Sequence, residues 1–231
     1  RVAGKRRGLH LAPAAFPVVF SMGEQSRQPP AAGAPWWERA HYRFYVSRSG
    51  WVDGTTEFHG MVAARLRQGG LTLEIGAGPA NKTSRMLREQ GQVVVGLDIE
   101  DAFRNNEALH HRVRYDGTRF PFANGVFDAA VADMVMEHVA DPASLATELA
   151  RVLKPGGYFC FRTPQRFGYV AFISAITPHW FHRMVANRLR RLPAGTHDPW
   201  PTVYRCNTKS RVKKVFEAAG FSLVEHRPRE K

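Results

Sequence analysis

The sequence predicts an α/β protein built as a doubly wound, mostly parallel sheet with helices on both faces. Three observations carry that reading. From residue 55 onward, short β-branched runs alternate with stretches of helical period, and such alternation calls for a parallel sheet. The run QVVVGL is too short for a helix and largely apolar, as expected of a strand buried on both faces. A glycine-rich turn, LEIGAG from Leu73 to Gly78, ends a strand-like run, and sheets of this kind gather their ligands at the carboxyl ends of strands.

Residues 1–35 are rich in Pro, Ala and Gly and read as a disordered leader or an upstream extension. Their basic lead and apolar stretch have the outline of a signal peptide, but two prolines and His10 interrupt it. No run approaches the roughly 18 apolar residues of a membrane span. From Trp36 the pattern turns aromatic and basic, with Trp37, His41, Phe44 and Tyr45 on one face of a short helix. TTEFHGMVAARLRQGG then carries Phe58, Met61, Val62 and Leu66 at helical spacing, with Thr55 or Thr56 as N-cap and Gly69 as stop.

The strands LTLEI, QVVVGL, HRVRYDG, FDAAVAD and GYFCFR follow in that order, with NKTSRMLREQG as a helix after the first. DPASLATELARVL is the helix before the fifth. In it Asp141 is the N-cap, Pro142 the first helical residue, and Leu145, Leu149, Val152 and Leu153 the buried stripe, which KPGG ends. Residues 163–207 break the rhythm with seven aromatics and five prolines, before NTKSRVKKVFEAAG resumes as a helix and FSLVEH as a last strand. At 231 residues one sizeable domain is expected, spanning 36–231, with 163–207 as an inserted lid.

The net charge of +13 is uneven: residues 1–50 carry +6, residues 51–160 carry −3 and residues 161–231 carry +10. The basicity belongs to the flanks, which could meet phosphates or anionic lipid, or simply be solvated. Two cysteines, Cys160 and Cys206, argue against a disulfide framework, and nothing spaced like a zinc site surrounds them, so no metal is expected.

The turn itself narrows the ligand. Gly76 and Gly78 let the backbone approach closely. Asp98 ends the second strand, 22 positions after Gly76, where a carboxylate can accept both hydroxyls of a ribose. A pyrophosphate would ask for a third glycine where Asn81 stands, and Glu74 would oppose its charge. A cationic amino-acid tail would instead be favoured by Glu74. Both departures point to S-adenosylmethionine and away from NAD.

With these residues in place, the sequence resembles the class I S-adenosylmethionine-dependent methyltransferases, in the broad type 11 group that includes quinone-biosynthesis enzymes. The resemblance covers about residues 55–226. It rests on LEIGAG, on Asp98, on YDGTRFPFANGVFD, on FDAAVADMVMEHVADP and on ELARVLKPGGYFCFRTP, in the family's order and spacing. It implies a Rossmann-like methyltransferase domain and cofactor contacts from Glu74, Gly76, Ala77, Gly78, Asp98 and Ile99. Asp116 and Gly117 would border the adenine, and Asp133 the methionine part. The family usually closes its sheet with a reversed hairpin, but eleven residues follow Gly220, so the closing antiparallel hairpin is expected to be incomplete.

Methyl transfer needs alignment of donor and acceptor and exclusion of water, and needs a base only when the acceptor must lose a proton. His138, in EHV, is the candidate catalytic base; its other reading is a histidine that shapes the pocket, and Glu137 is a weaker candidate. The acceptor pocket is expected from residues 36–60 and 163–207. GYVAFISAITPHWFHRMVANRLRRL, with Arg183, Arg188, Arg190 and Arg191, reads as a lid packed on the sheet. A second reading lays it on an anionic membrane and admits a lipophilic acceptor, putting a cytoplasmic protein at the membrane's inner face. In a different class, the basic tail with interleaved aromatics allows an RNA-binding or RNA-modifying protein, although neither an RNA-binding module nor a concentrated basic run is present.

Overall fold

The computed structural model describes residues 52–79, 81–164 and 201–228, the backbone of 16–21, and 31–34, 36, 39 and 42–43. The aromatic helix expected after Trp36 and most of the expected lid lie outside the described residues.

Seven strands form one sheet: Phe16–Ser21 (β1), Leu71–Ile75 (β2), Val93–Asp98 (β3), His111–Arg114 (β4), Phe127–Asp133 (β5), Leu153–Arg162 (β6) and Phe221–Arg227 (β7). Their order is β4-β3-β2-β5-β6-β1-β7, and every pairing is parallel. From β2 the chain winds outward through β3 to β4, then crosses back to β5 and winds the other way. That reversal opens a crevice between the carboxyl ends of β2 and β5.

One side of the sheet takes a strand from the stretch read as a leader. No antiparallel hairpin closes the sheet among the described residues. β1, drawn from the stretch read as a leader, instead lies between β6 and β7 and pairs with both. β6 and β7 are not neighbours of each other, so β1 satisfies ladder groups that both would otherwise leave unpaired.

Among the described residues four α-helices cover the two faces: Gly54–Ala63 (α1), Lys82–Glu89 (α2), Pro142–Val152 (α3) and Lys209–Ala218 (α4). Asp53, and neither Thr55 nor Thr56, caps α1, its carboxylate accepting from the Thr56 N–H; an acid one residue before the helix outcompetes threonines already inside it. Asp141 caps α3 as expected, with Pro142 in its first turn. KPGG lies within β6, because α3 ends at Val152 and the chain turns directly into the strand. A register shift opposite Phe127 absorbs the extra residues.

Strand alternation sorts the core into two layers. Leu73, Leu97, Ala130, Phe159 and Phe161 pack with Leu149 of α3 and Phe216 of α4. Val94, Val131 and Cys160 pack with Phe58 of α1 and Leu87 of α2. Polar residues near the carboxyl ends of β2, β5 and β6 fall on this second face, which decides much of the site. Among the described residues no helix is long and apolar enough to cross a membrane.

Candidate active site

A cavity of about 430 Å³ opens at the crevice, lined by Gly76 after β2, Asp98 and Ile99 at the end of β3, Gly117 after β4, and Val135 and His138 after β5. Phe120 and Leu145 add an apolar wall. The size suits a nucleoside-bearing ligand.

The turn after β2 is built by conformation and by capping. Gly76 and Gly78 both take positive φ, 66° and 59°. A Cβ on Gly76 would stand 2.5 Å from Val135 Cγ2, whereas nothing lies within 4 Å of one on Gly78. Gly76 therefore answers to packing, and Gly78 keeps space open. Asn81, in the place of a third glycine, is the N-cap of α2: its Oδ1 accepts from the Ser84 N–H at 2.6 Å, while its amide donates to the Ala77 carbonyl. Asn106 donates to the Ala77 and Gly78 carbonyls, each at 3.2 Å, and to Ser84 Oγ at 2.8 Å. The turn is thus fastened from beneath.

Asp98 is aimed by the same turn. Its Oδ2 accepts from the Gly78 N–H at 3.1 Å and its Oδ1 from the Glu100 N–H at 3.0 Å. Each oxygen keeps a further lone pair for a ligand hydroxyl. Glu74 lies under the turn and does not line the cavity; it is 1% exposed. Its Oε2 accepts from Ser84 Oγ at 2.7 Å, and its buried Oε1 has no hydrogen-bond partner among the described residues. Burial pushes its carboxyl up from the usual 4.5 to about 7, against the opposing Ser84 and Asn81 bonds. Charging it becomes easier if a cation sits above the turn.

Asp133, expected beside the cofactor, does not line the cavity. It ends β5 on the α1 and α2 face, where Arg162 of β6 holds it by both oxygens, at 2.7 and 2.9 Å. Thr83 Oγ1 also donates to its Oδ2 at 2.7 Å. With that proton committed, Thr83 accepts from His59 Nε2 at 3.0 Å. Arg162 donates to Thr55 Oγ1 at 2.9 Å and lies over the Phe58 ring. This buried set ties α1 and the start of α2 to the sheet. Burial lowers the His59 pKa, with Asp133 opposing. The sequence reading named neither His59 nor Arg162, and alternation along β6, which puts Arg162 on the Cys160 face, was the signal for the latter.

Of the other expected residues, Gly76, Asp98, Ile99, Gly117 and His138 meet at the cavity. Ala77 is fully buried in the core beneath the turn. Asp116 faces a neighbouring depression beside Arg114 and Arg119, its Oδ1 taken by the N–H and hydroxyl of Thr118.

After β5, Met134 takes a positive φ of 59° and swings the chain into a tight turn that presents Glu137 and His138. His138 Nδ1 is 3.2 Å from the Pro201 carbonyl. Glu137 is 3% exposed; burial raises its pKa, with its bonds and His138 opposing. Its Oε2 accepts from Thr163 Oγ1 at 2.9 Å, and its carbonyl accepts from the N–H groups of Val203 and Tyr204.

Residues 73–161 match the family model described as a methyltransferase domain. Among curated proteins the chain is 28% identical over 183 residues to the ubiquinone biosynthesis O-methyltransferase of Acinetobacter baylyi, covering 73% of this chain and 70% of that one. It is 30% identical over 170 residues to the demethylmenaquinone methyltransferase of Clavibacter sepedonicus, covering 67% and 66%. Against the malonyl-[acyl-carrier protein] O-methyltransferase of Salmonella typhimurium the identity is 34% over 101 residues, covering 42% of this chain and 40% of that one.

Proposed function

We propose that this chain, whose residues 73–161 match the methyltransferase-domain family model, is a class I S-adenosylmethionine-dependent methyltransferase that moves a methyl group to a small-molecule acceptor with an apolar body. The observation that carries the reading is Asp98, held at the cavity wall by the Gly78 and Glu100 N–H groups beside the open face of Gly78. That pair fits a ribose lying over a glycine turn. The buried Oε1 of Glu74, without a hydrogen-bond partner among the described residues, fits a positive group above it and disfavours a phosphate.

S-adenosylmethionine, when bound, supplies an electrophilic methyl on a sulfonium. What this chain adds is placement and dryness. Asp98 would hold the ribose, Ile99 and Gly117 would flank the base, and Phe120, Val135 and Leu145 would keep water from the reacting groups. His138, on the same cavity wall, would take a proton from an acceptor hydroxyl. The relatives from Acinetobacter and Salmonella are both O-methyltransferases by name, which supports an oxygen acceptor.

Calorimetry with S-adenosylmethionine tests the site. Asp98→Ala is expected to weaken binding by about 1.5–3 kcal/mol, the range for hydrogen bonds to a charged group. Unchanged affinity removes Asp98 from the site, and tighter binding of NAD ends the reading. Contact with an anionic membrane, proposed from the apolar and basic stretch 168–192, is read by sedimentation with phosphatidylglycerol vesicles at low and high salt; absence of binding removes it.

A further inference from the structure

Thr163 on one side, and Pro201, Val203 and Tyr204 on the other, converge on one dipeptide, Glu137–His138. On the outgoing side, Thr163 Oγ1 donates to Glu137 Oε2 at 2.9 Å. On the returning side, Val203 and Tyr204 donate their N–H groups to the Glu137 carbonyl at 2.8 and 3.1 Å, and the Pro201 carbonyl meets His138 Nδ1 at 3.2 Å. Asn207, just before α4, ties the two sides together by donating to Thr163 Oγ1 and to the Pro164 carbonyl. Glu137 is thus a post to which both arms are fastened, by its side chain on one and its main chain on the other.

The bond directions fix a proton. A carbonyl oxygen only accepts, so His138 Nδ1 carries the hydrogen and, in the neutral ring, Nε2 carries a lone pair. The remaining Glu137 oxygen, Oε1, is 4.0 Å from that Nε2. We propose that the Glu137 side chain positions His138: through Thr163 and Asn207 its carboxylate braces the returning arm, so that the Pro201 carbonyl fixes the hydrogen on Nδ1 and leaves Nε2 as the atom that takes a hydroxyl proton from the acceptor. This rests on the reading of His138 as the base.

The chemistry selects the acceptor class. As a hydroxyl oxygen's electron pair bonds to the methyl carbon, the carbon–sulfur pair returns to sulfur and the hydroxyl proton passes to Nε2. The acceptor leaves as a neutral methyl ether, the sulfonium becomes a neutral thioether, and the imidazolium so formed lies beside the Glu137 carboxyl until it gives the proton to water. An acceptor methylated at a hydroxyl needs this arrangement; one methylated at an unprotonated nitrogen does not. Among the described residues the other ionisable groups at the same cavity are Asp98, Tyr115 and Asp141, and the charge of Asp133 also acts on Glu137.

The test reads the ring without needing the acceptor. Long-range ¹H–¹⁵N spectra of ring-labelled protein, with His138 assigned from the signals lost in His138→Gln, are expected to show one neutral tautomer, hydrogen on Nδ1. Glu137→Ala, and Thr163→Val as a milder variant that cuts the Glu137 bond with little change of shape, are each expected to give a mixture of tautomers, with far-UV circular dichroism confirming the fold. Hydrogen on Nε2 in the wild type overturns the proposal, as does an unchanged single tautomer in both variants. A positive tautomer result together with unaltered methyl transfer to 3,4-dihydroxybenzoate by His138→Asn, which keeps a donor for the Pro201 carbonyl, would leave the positioning intact and sink the base.

Discussion

Asp133 grips Arg162 with both carboxylate oxygens, Nε to Oδ1 at 2.7 Å and Nη2 to Oδ2 at 2.9 Å, where Arg162 is only 2% exposed. The residue at the end of β5 is therefore tied to β6 and lies outside the cavity lining. Asp133→Ala is expected to cost about 3–5 kcal/mol in urea unfolding, because it strands a buried guanidinium. Replacing both partners, Asp133→Leu with Arg162→Met, should recover most of that loss. A single substitution with no effect on stability would show that the pair is not held as described.

The two glycines of the turn should behave differently. Gly76→Ala forces a side chain into a left-handed residue and against Val135, and is expected to destabilise by about 2–5 kcal/mol. Gly78→Ala meets nothing within 4 Å and should cost only about 1–2 kcal/mol for its backbone angle. Its effect should appear in calorimetry, as S-adenosylmethionine affinity lowered about tenfold or more by a methyl standing in the ligand's space.

Asn81→Gly restores the third glycine of a dinucleotide fingerprint. It also removes the amide that donates to Ala77 and the side-chain oxygen that caps α2. Thermal melts should show a loss of about 1 kcal/mol, a small part from the cap and most from the lost bond to Ala77. Binding of NAD should not appear, since Glu74 still lies beneath the turn.

Glu74 makes stability depend on pH. Its folded pKa is raised by burial to about 7 from 4.5. Between those values the folded chain binds more protons than the unfolded one, so its contribution is fully present below 4.5 and is lost as pH rises through about 7. Glu74→Gln keeps an acceptor for Ser84 and cannot ionise. Urea unfolding at pH 5 and pH 8 should therefore show the wild type losing about 2 kcal/mol more than the variant across that interval.

Much of this was legible along the chain because it is local. The strand at 71–75, the cap at Asp141 and the positions of Gly76, Gly78 and Asp98 depend on neighbours a few residues away, which periodicity and turn chemistry report directly. His138 belongs with them, since a short turn after β5 carries it to the cavity. Glu74 was expected as a cofactor contact from its place before the glycines, while its burial beneath the turn and away from the cavity lining depends on how Ser84 of α2 meets it.

Other features follow from residues far apart in sequence. Whether Asp133 meets a ligand or a guanidinium depends on the face that β5 shares with β6, which sets Arg162 beside it across a gap of 29 residues. The strand at 16–21 lies between β6 and β7, and no local pattern states which neighbours a strand will find. Glu137 reads from the sequence as a weaker candidate base, and its role in holding the chain becomes visible only when Thr163, Val203 and Tyr204 return to it. The sequence by itself determined the alternation of elements and the glycine turn, since both come from short-range sterics and hydrophobic period. Only the tertiary structure decided which buried charges find partners, because pairing is a matter of faces and distances set by the whole sheet.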